Sequence, residues 1–288
     1  MNLTDYSEIT ELLRRHNFRF SKSMGQNFLT DASVPEEIAE AAGLDENTLA
    51  VEVGPGIGCL TVQLSERAGK VISYELDRAL MPVLSETLSG CENTQVIFRD
   101  FMKTPEEEIL SEAEGRKIKF VANIPYNITS PLLTKVISSG IFDEAIVMIQ
   151  KEVAQRICAG AGERDYSSFG ILCQWHTEPE ILFDVGPECF VPRPKVTSAV
   201  IRLKKRTEKP AKTEDEKLMF ALVRAAFNQR RKTFVNAAGT AVPGVDREML
   251  KKVLENLGFD EKTRGETLSI GDFAKIADEI KRNIVGNL

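Results

Sequence analysis

The sequence predicts an α/β fold: a doubly wound parallel sheet followed by a small all-α domain. Two observations predict the sheet. Between residues 48 and 149 short apolar runs alternate with helical stretches, and a glycine-rich turn directly follows the first run. A third observation predicts the second domain, because after residue 213 the apolar residues recur only at helical spacing.

The N-terminal part of the chain predicts two helices separated by an ordered loop. Apolar residues at helical spacing predict a helix over Asp5–Arg15. The stretch Arg19–Leu29 contains serine and glycine and shows no strand alternation, so it is predicted to be the loop. The second helix is expected over Val34–Ala42, with Ser33 as its N-cap.

Five apolar runs predict parallel strands, with helical crossovers between most consecutive pairs. Right-handed crossovers would bring the loops after the first four strands to one edge of the sheet. That edge is where ligands bind in open α/β sheets. The predicted strands are Thr48–Val53, Lys70–Glu75, Thr94–Asp100, Lys117–Ala122 and Glu144–Ile149.

The pattern changes from Glu178 onward. Two further runs, Glu180–Val185 and Val196–Leu203, are compatible with antiparallel strands added at the sheet's edge. Residues 204–213 are rich in basic residues and contain a proline, which is typical of a linker. We therefore assign residues 1–206 to the first domain and 207–288 to a helical domain. Its helices are predicted at Glu214–Asn228, Lys232–Ala238, Asp246–Leu257 and Ile270–Ile280.

Composition narrows the class of protein. Hydrophobic residues make up 42% and charged residues 28% of the chain, which are ordinary globular values. There is no apolar run long enough to span a membrane and no signal-peptide pattern at the start. Five cysteines without Cys-x-x-Cys spacing and two histidines argue against a metal site or a disulfide framework. We expect a cytoplasmic protein with free thiols and no bound metal.

The charge distribution bears on the partner. The net charge is −6, which disfavours a nucleic-acid partner mildly, yet residues 193–232 contain 13 lysines and arginines against four acidic residues. Such asymmetry indicates an acidic body with a basic strip. A solvated helix and linker would give the same pattern.

The glycine turn after the first strand predicts a cofactor site. Gly54 and Gly56 allow a ligand to approach the backbone at a helix N-terminus, and Glu75 ends the second strand, where a carboxylate can accept from ribose hydroxyls. A dinucleotide site would place the third glycine one residue later than Gly58, and Pro55 removes an N–H that a pyrophosphate could use. These residues favour S-adenosylmethionine over NAD. A plain turn is the alternative.

Two more strand ends carry candidate residues. Asp100 ends the third strand, where its carboxylate could accept from an adenine amine or simply cap a helix. The fourth strand is followed by Asn123-Ile124-Pro125-Tyr126. This tetrapeptide resembles the Asn/Asp-x-Pro-Tyr/Phe motif of amino-group N-methyltransferases.

Three longer segments make the resemblance specific. Together with the tetrapeptide, Lys22–Leu29, Phe190–Ser198 and Phe227–Thr233 resemble the ribosomal RNA adenine N6,N6-dimethyltransferases, along essentially the whole chain. The bacterial branch that acts on 16S RNA is the most similar. The resemblance implies a Rossmann-like methyltransferase domain over residues 1–206 and an RNA-binding helical domain over 207–288. It implies that S-adenosylmethionine contacts Asn27, Leu29, Gly54, Glu75, Asp100 and Asn123.

The motif also suggests a mechanism. The N6 lone pair of adenine is delocalised into the ring, so two acceptors on the amine, the Asn123 side-chain oxygen and the Pro125 carbonyl, would favour its attack on a methyl group. Tyr126 would stack on the extruded base, which is worth about 1–3 kcal/mol. The resemblance suggests that Phe190 stacks on the other face, while loop packing is its alternative role. Dimethylation itself rests on the resemblance.

Basic residues near these motifs are candidates for RNA contacts. Arg193 and Lys195 lie beside Phe190 in the sequence, and Arg230, Arg231 and Lys232 follow Phe227; all five are expected to bind RNA phosphates. The cluster at residues 204–206 is as well explained by a solvated linker.

The resemblance implies a function: methylation of N6 of two adjacent adenosines in a hairpin loop near the 3′ end of 16S rRNA. The expected substrate is the 30S subunit or its precursor, the expected role is in small-subunit biogenesis, and we expect a monomer without membrane contact. Two alternatives stay open. One is adenine methylation of 23S RNA, as in macrolide resistance, or of DNA. The other is a non-catalytic ribosome-assembly or transcription factor.

Overall fold

The computed structural model describes residues 1–19, 25–239 and 241–286. Residues 22–24 of the motif Lys22–Leu29, and part of the predicted loop around it, lie outside the described residues. The contacts divide the chain into two compact units. The first unit comprises Met1–Ala154 and Thr177–Lys205, and the second comprises Gln155–His176 and Arg206–Leu288.

The first unit is built on a seven-stranded sheet, counted over the described residues, with the order β4-β3-β2-β5-β6-β9-β7. Strands β4, β3, β2, β5 and β6 run parallel, and β9 is antiparallel to both of its neighbours. A separate two-stranded ribbon pairs β1 with β8. The strands are β1 (Phe28–Leu29), β2 (Thr48–Val53), β3 (Lys70–Tyr74), β4 (Thr94–Ile97), β5 (Lys117–Asn123), β6 (Glu144–Gln150), β7 (Thr177–Val185), β8 (Phe190–Val191) and β9 (Ser198–Lys205).

The parallel core forms because its central strands are apolar on both faces. Every residue of β2 is buried, and β5 and β6 bury all but their ends and Lys119. Such runs need layers on both sides of the sheet, which the intervening helices supply. The predicted doubly wound α/β fold is confirmed, and the carboxyl ends of β2, β3 and β5 meet at one edge.

Antiparallel strands do extend the sheet, in an order that the sequence pattern does not reveal. Strand β9 lies between β6 and β7, with Ser198 opposite Gln150 and Lys204 opposite Glu144. It begins two residues later than predicted. Ala199, Val200 and Ile201 are fully buried there, so this strand has the composition of an interior strand rather than an edge.

The predicted helices occur in the predicted order, with two local differences, and two further helices, Lys151–Cys158 and Ser168–His176, were not predicted. Ser33 lies inside its helix rather than capping it, and the Asp31 carboxylate accepts from its N–H and hydroxyl. The predicted loop ends in β1. The helices are α1 (Tyr6–Arg15), α2 (Ser33–Ala41), α3 (Cys59–Ser65), α4 (Met81–Thr87), α5 (Glu106–Ala113), α6 (Thr129–Ser139), α7 (Lys151–Cys158), α8 (Ser168–His176), α9 (Glu216–Asn228), α10 (Phe234–Ala238), α11 (Arg247–Asn256) and α12 (Ile270–Gly286). Over the described residues, no helix combines the length and apolarity that a membrane crossing requires.

The second unit is helical and has its own core. Trp175, Tyr166, Phe234 and Phe273 are among its largest buried side chains. The Tyr166 hydroxyl donates to the carbonyl of Leu268 at 3.1 Å. Residues 155–176 thus belong with this core, although the sequence division at 206/207 left them in the first domain. The functional division of the chain stays a prediction.

Candidate active site

A cavity of about 270 Å³ lies at the carboxyl edge of the sheet in the first unit. Strands β2, β3 and β5 end in it, and the residues after β4 close one side. The N-terminal segment covers another side with residues 25–29. The cavity is lined by all seven residues that the sequence assigns to the cofactor: Asn27, Leu29, Gly54, Gly56, Glu75, Asp100 and Asn123.

The glycine turn needs its glycines for conformation and for space. Gly54 has φ +75°, and its N–H donates to the carbonyl of Tyr74 at 2.9 Å. A Cβ at Gly54 would lie 3.6 Å from Cδ of Pro125, so the turn and the tetrapeptide motif face each other. Gly56 has φ +59°, and a Cβ there would lie 3.1 Å from the ring of Phe28. Left-handed backbone and close neighbours both favour glycine here.

Glu75 directly follows β3 and is nearly fully buried. Its Oε1 accepts from the N–H groups of Leu76 and Asp77, each at 2.8 Å, and these bonds hold the carboxylate at the cavity wall. Burial raises the pKa of Glu75, while the backbone N–H groups oppose that shift. A carboxylate fixed in this way suits a ligand with vicinal hydroxyl groups.

Sequence reasoning missed a second buried carboxyl group, Glu52 on β2. It also lines the cavity, and its Oε2 accepts from the hydroxyls of Thr61 at 2.8 Å and Ser73 at 2.6 Å. Burial raises the pKa of Glu52 to about 7, and the nearby Glu75 adds to the shift. The signal available was an acidic residue within an otherwise apolar strand.

Asp100 lies at the entrance to a 3₁₀ turn after β4. Its Oδ1 accepts from the N–H of Met102 at 2.9 Å, so it acts as a cap while also lining the cavity. Two apolar side chains, Leu76 and Met102, flank this region and are 58% and 39% exposed. Exposed apolar groups beside a carboxylate suit a flat heteroaromatic ring with an amine. The sequence did not single out either side chain.

The N-terminal segment is fastened over the cavity at two points. The Gln26 side-chain amide donates to Oδ2 of Asp77 at 2.8 Å, across 51 positions of sequence. Leu29 pairs with Phe190 in the ribbon formed by β1 and β8. Asn27 lies between these two points, and its amide donates to the carbonyl of Gly25 at 3.1 Å.

The tetrapeptide places polar atoms where β5 ends. Asn123 is the last residue of β5, opposite Met148 on β6. Over the described parts of the chain its side-chain amide has no hydrogen-bond partner. The Pro125 carbonyl accepts from the N–H of Ile128 at 3.1 Å. A carbonyl oxygen has two lone pairs, so one of them can still accept a second hydrogen bond. The hydroxyl of Tyr126 lies 2.6 Å from that of Ser198.

Phe190 is not brought to the cavity. Its side chain is only 4% exposed and packs in a core with Leu29, Val185 and Val200. Here the ring contributes to core packing, which was its alternative role. The predicted stacking of Phe190 on a base stays a prediction.

The candidate RNA-binding residues differ in their surroundings. Arg193 and Lys195 are exposed in the first unit. In the second unit Arg231 and Lys232 are also exposed. The Arg230 guanidinium is engaged: Nε lies 2.6 Å from Oε2 of Glu266, and the group also donates to the carbonyl of Arg164 at 2.7 Å.

The chemistry of the cavity is acidic. Among the described lining residues, Glu52, Glu75 and Asp100 are acidic and Arg99 alone is basic, and its guanidinium pairs with Glu108. A pyrophosphate would meet repulsion here, whereas a cationic ligand with an adenosine part is compatible with this lining. Across the described residues, no cluster of three or more histidine, cysteine or acidic side chains forms a potential metal site.

Comparison of the whole sequence with known proteins agrees with this chemistry. Residues 17–281 match the family model described as ribosomal RNA adenine dimethylase. The chain is 43% identical over 285 residues to ribosomal RNA small subunit methyltransferase A of Clostridium perfringens, covering 98% of this chain and 99% of that protein. The protein of the same name from Geobacillus thermodenitrificans is 42% identical over 275 residues, 94% of each chain.

Solved structures show the same fold. A dimethyladenosine transferase from Plasmodium falciparum superposes with a TM-score of 0.73 at 28% identity, over 90% of this chain and 98% of that one. The 23S rRNA methyltransferase ErmE superposes with a TM-score of 0.67 at 26% identity, over 88% and 99% of the two chains. With a family model that spans nearly its full length and relatives above 40% identity, the chain belongs to the ribosomal RNA adenine dimethylase family.

Proposed function

We propose that this protein transfers methyl groups from S-adenosylmethionine to N6 of two adjacent adenosines near the 3′ end of 16S rRNA, within the 30S subunit or its precursor. The observation that carries the proposal is the meeting of Gly54 and Pro125, which joins an adenosine-type cavity to the tetrapeptide Asn123–Tyr126. The relatives named for the small ribosomal subunit support the choice of RNA. The proposed setting is the cytoplasm, with the protein acting as a monomer.

The cavity residues fit S-adenosylmethionine. Glu75 would hold the ribose, Asp100 the adenine amine, and the glycine turn with Asn27 and Leu29 the remainder. Leu76 and Met102 would contact the faces of the adenine ring. When bound, this cofactor supplies a methyl group on a positively charged sulfur, a charge that the acidic lining favours.

The tetrapeptide would align the target amine. The Asn123 amide oxygen and the Pro125 carbonyl would accept the two N6 hydrogens, so that the nitrogen lone pair points toward the methyl group. Among the described residues the Asn123 amide has no hydrogen-bond partner, which supports this role, since no bond to any of them has to be broken first. Catalysis then comes from positioning rather than from a strong base, because the methylated amine loses its proton readily. Tyr126 would stack on the base.

The second methylation makes a different demand on the same acceptors. A monomethylated amine has one hydrogen left, so only one acceptor is used and the methyl group needs space beside the other. We propose that the monomethylated base turns so that its remaining hydrogen faces one of the two oxygens.

The proposal is tested with labelled S-adenosylmethionine and 30S particles that lack the modification. We expect N6,N6-dimethyladenosine in the 16S RNA after digestion. The Asn123→Ala variant should lose methyl transfer while it still binds the 30S particle, and the exposed Asn47→Ala variant should keep both. If no 30S preparation gives label in its 16S RNA, the proposal is overturned.

A second substrate has one observation in its favour, since ErmE, a 23S rRNA methyltransferase, shares the fold over 88% of the chain. The same assay with protein-free 23S RNA decides between the two. Label in 23S RNA and none in 30S particles would favour the large-subunit substrate. The 43% identity to small-subunit enzymes, against 26% to ErmE, makes the 30S result the expected one.

A further inference from the structure

The Tyr126 side chain is bound at its tip to a residue outside the tetrapeptide. Its hydroxyl lies 2.6 Å from the hydroxyl of Ser198, and either group can be the donor. Ser198 is fully buried, 72 positions away in the sequence. The bond is part-buried, and separating the pair is costly chiefly for the buried Ser198 hydroxyl, which would lose its partner in a place that water reaches poorly.

Ser198 itself is fixed by the sheet. It is the first residue of β9 and lies opposite Gln150, the last residue of β6. Just before it, the carbonyl of Thr197 accepts from the N–H of Lys151 at 3.0 Å. Because β9 runs antiparallel to β6, its first residue lies at the edge where the parallel strands end. The hydroxyl is therefore presented from a rigid element at the edge that holds the site.

The backbone end of Tyr126 is fixed as well. The carbonyl of Pro125 accepts from Ile128, and the carbonyl of Tyr126 accepts from the hydroxyl of Thr129 at 3.2 Å. Thr129 is buried at the start of α6. With the backbone and the hydroxyl both held, the position and the long axis of the tyrosine ring are fixed before any base arrives.

We propose that Ser198 is a positioning residue for the methyl transfer: its hydroxyl holds the ring of Tyr126 in the orientation on which the target adenine stacks. The inference rests on the proposed function and extends it. A ring that is already oriented does not have to be ordered when the base enters, so the amine is delivered to the acceptors in one orientation. Loss of the bond should therefore slow the chemical step more than it weakens binding of the particle.

The test compares Ser198→Ala, Tyr126→Phe and the double variant in single-turnover methylation of 30S particles. Each single variant should lower the rate at saturation about three- to tenfold, the range expected from one ordinary hydrogen bond. The double variant should be no slower than the slower single variant, since both changes remove the same bond. The half-saturating particle concentration and the cofactor dissociation constant should stay within twofold of the wild type.

A spectroscopic measurement tests the bond without any turnover. The chain has only four tyrosines, so labelling their ring carbons with ¹³C gives four assignable sets of NMR signals. Tyr126→Phe identifies the Tyr126 signals. In Ser198→Ala these signals should shift or broaden as the ring gains freedom, while those of Tyr6, Tyr74 and Tyr166 should stay in place.

Ser139→Ala is the matched control, because it removes a half-buried hydroxyl that donates to the carbonyl of Val136 at 2.8 Å, away from the cavity. It should leave the rate and the Tyr126 signals unchanged. Full activity of Ser198→Ala, or losses that add in the double variant, would overturn the inference. If the wild type itself transfers no methyl group, the proposed function fails instead, and unchanged Tyr126 signals in Ser198→Ala would then reject the ring-holding role separately.

Discussion

At the scale of single residues, Glu52 shows how a site can be built at the expense of stability. Its carboxyl group is buried, and burial raises its pKa from the usual 4.5 to about 7. On raising the pH, the unfolded chain gives up this proton near pH 4.5, whereas the folded chain keeps it until about pH 7. Stability therefore falls as the pH rises through this interval and levels off above it.

Glu52→Gln should remove this pH dependence. Glutamine keeps an oxygen that accepts from Thr61 and Ser73 and cannot ionise, so at pH 8 the variant should be more stable by roughly 1–3 kcal/mol. Urea unfolding at pH 5, 6, 7 and 8 measures the difference. The exposed Glu37→Gln variant serves as control, and equal pH profiles for the two variants would contradict the prediction.

Gly54→Ala separates backbone strain from a direct effect on the site. At φ +75° an alanine costs roughly 1 kcal/mol, and its methyl group would project toward Pro125. Gly140→Ala is a matched control, because Gly140 has φ +70° and no atom near its missing Cβ. Both variants should unfold at lower denaturant concentration. Only Gly54→Ala should bind S-adenosylhomocysteine more weakly in calorimetric titration, by about tenfold; equal affinities would remove Gly54 from the site.

At the scale of elements, the sequence predicted which residues lie at the carboxyl ends of the strands, but it did not predict the burial of Phe190. Alternating strands and helices place Gly54, Glu75, Asp100 and Asn123 at one edge, because parallel strands share their direction, and the structure brings them into one cavity. The burial of Phe190 depends on the pairing of β1 with β8, two strands of two residues each. Such short strands leave no periodic pattern in a sequence.

The position of β9 and the role of residues 155–176 were hidden for a related reason. Alternation of apolar and polar residues identifies a strand but not the strands beside it. The position of β9 between β6 and β7 could therefore not be predicted from that alternation. Likewise, the helices α7 and α8 were not predicted from the sequence, and neither was the core that residues 155–176 join. Both facts are set by long-range packing.

An ion network crosses four strands of the sheet at the opposite end from the site. Glu144 on β6 accepts from Lys119 on β5 and Arg202 on β9, both at 3.2 Å, and Arg202 continues to Glu180 on β7 at 2.9 Å. The Glu144 side chain is only 15% exposed, against 61% for Glu180. The first carboxylate is therefore much less screened by water than the second.

We expect Glu144→Gln to lower the free energy of unfolding by about 1–3 kcal/mol, because the partly buried Lys119 loses its counter-charge and Arg202 keeps only the exposed Glu180. Glu180→Gln should cost less than about 0.5 kcal/mol, as is usual for exposed pairs. Both values come from urea unfolding at pH 7. Similar losses in the two variants would show that burial does not govern the strength of this network.

At the scale of the whole molecule, the charges are segregated along the chain. The net charge is −6, yet residues 193–232 carry an excess of nine positive charges. Part of this excess is used internally: Arg202 joins the strand network and Arg230 binds Glu266. We expect the exposed members to be the ones that contact RNA phosphates. An acidic body would meanwhile repel stretches of RNA that are not the target.

Arg231 and Lys232 should therefore contribute to particle binding in a salt-dependent way, unlike Arg230. If each neutralises one phosphate, Arg231→Gln and Lys232→Gln should each lower the slope of log affinity against log salt concentration by about 1. The slope is measured from the affinity for 30S particles at salt concentrations from about 50 to about 200 mM. Arg230→Gln should instead lower stability, because it removes the shorter of the two ion pairs of Glu266 and the hydrogen bond to the carbonyl of Arg164. Lys252→Gln, an exposed lysine on α11 of the same unit, is the control. If it changes the slope as much as the other two do, the binding is a general charge effect and these residues do not form a specific RNA contact.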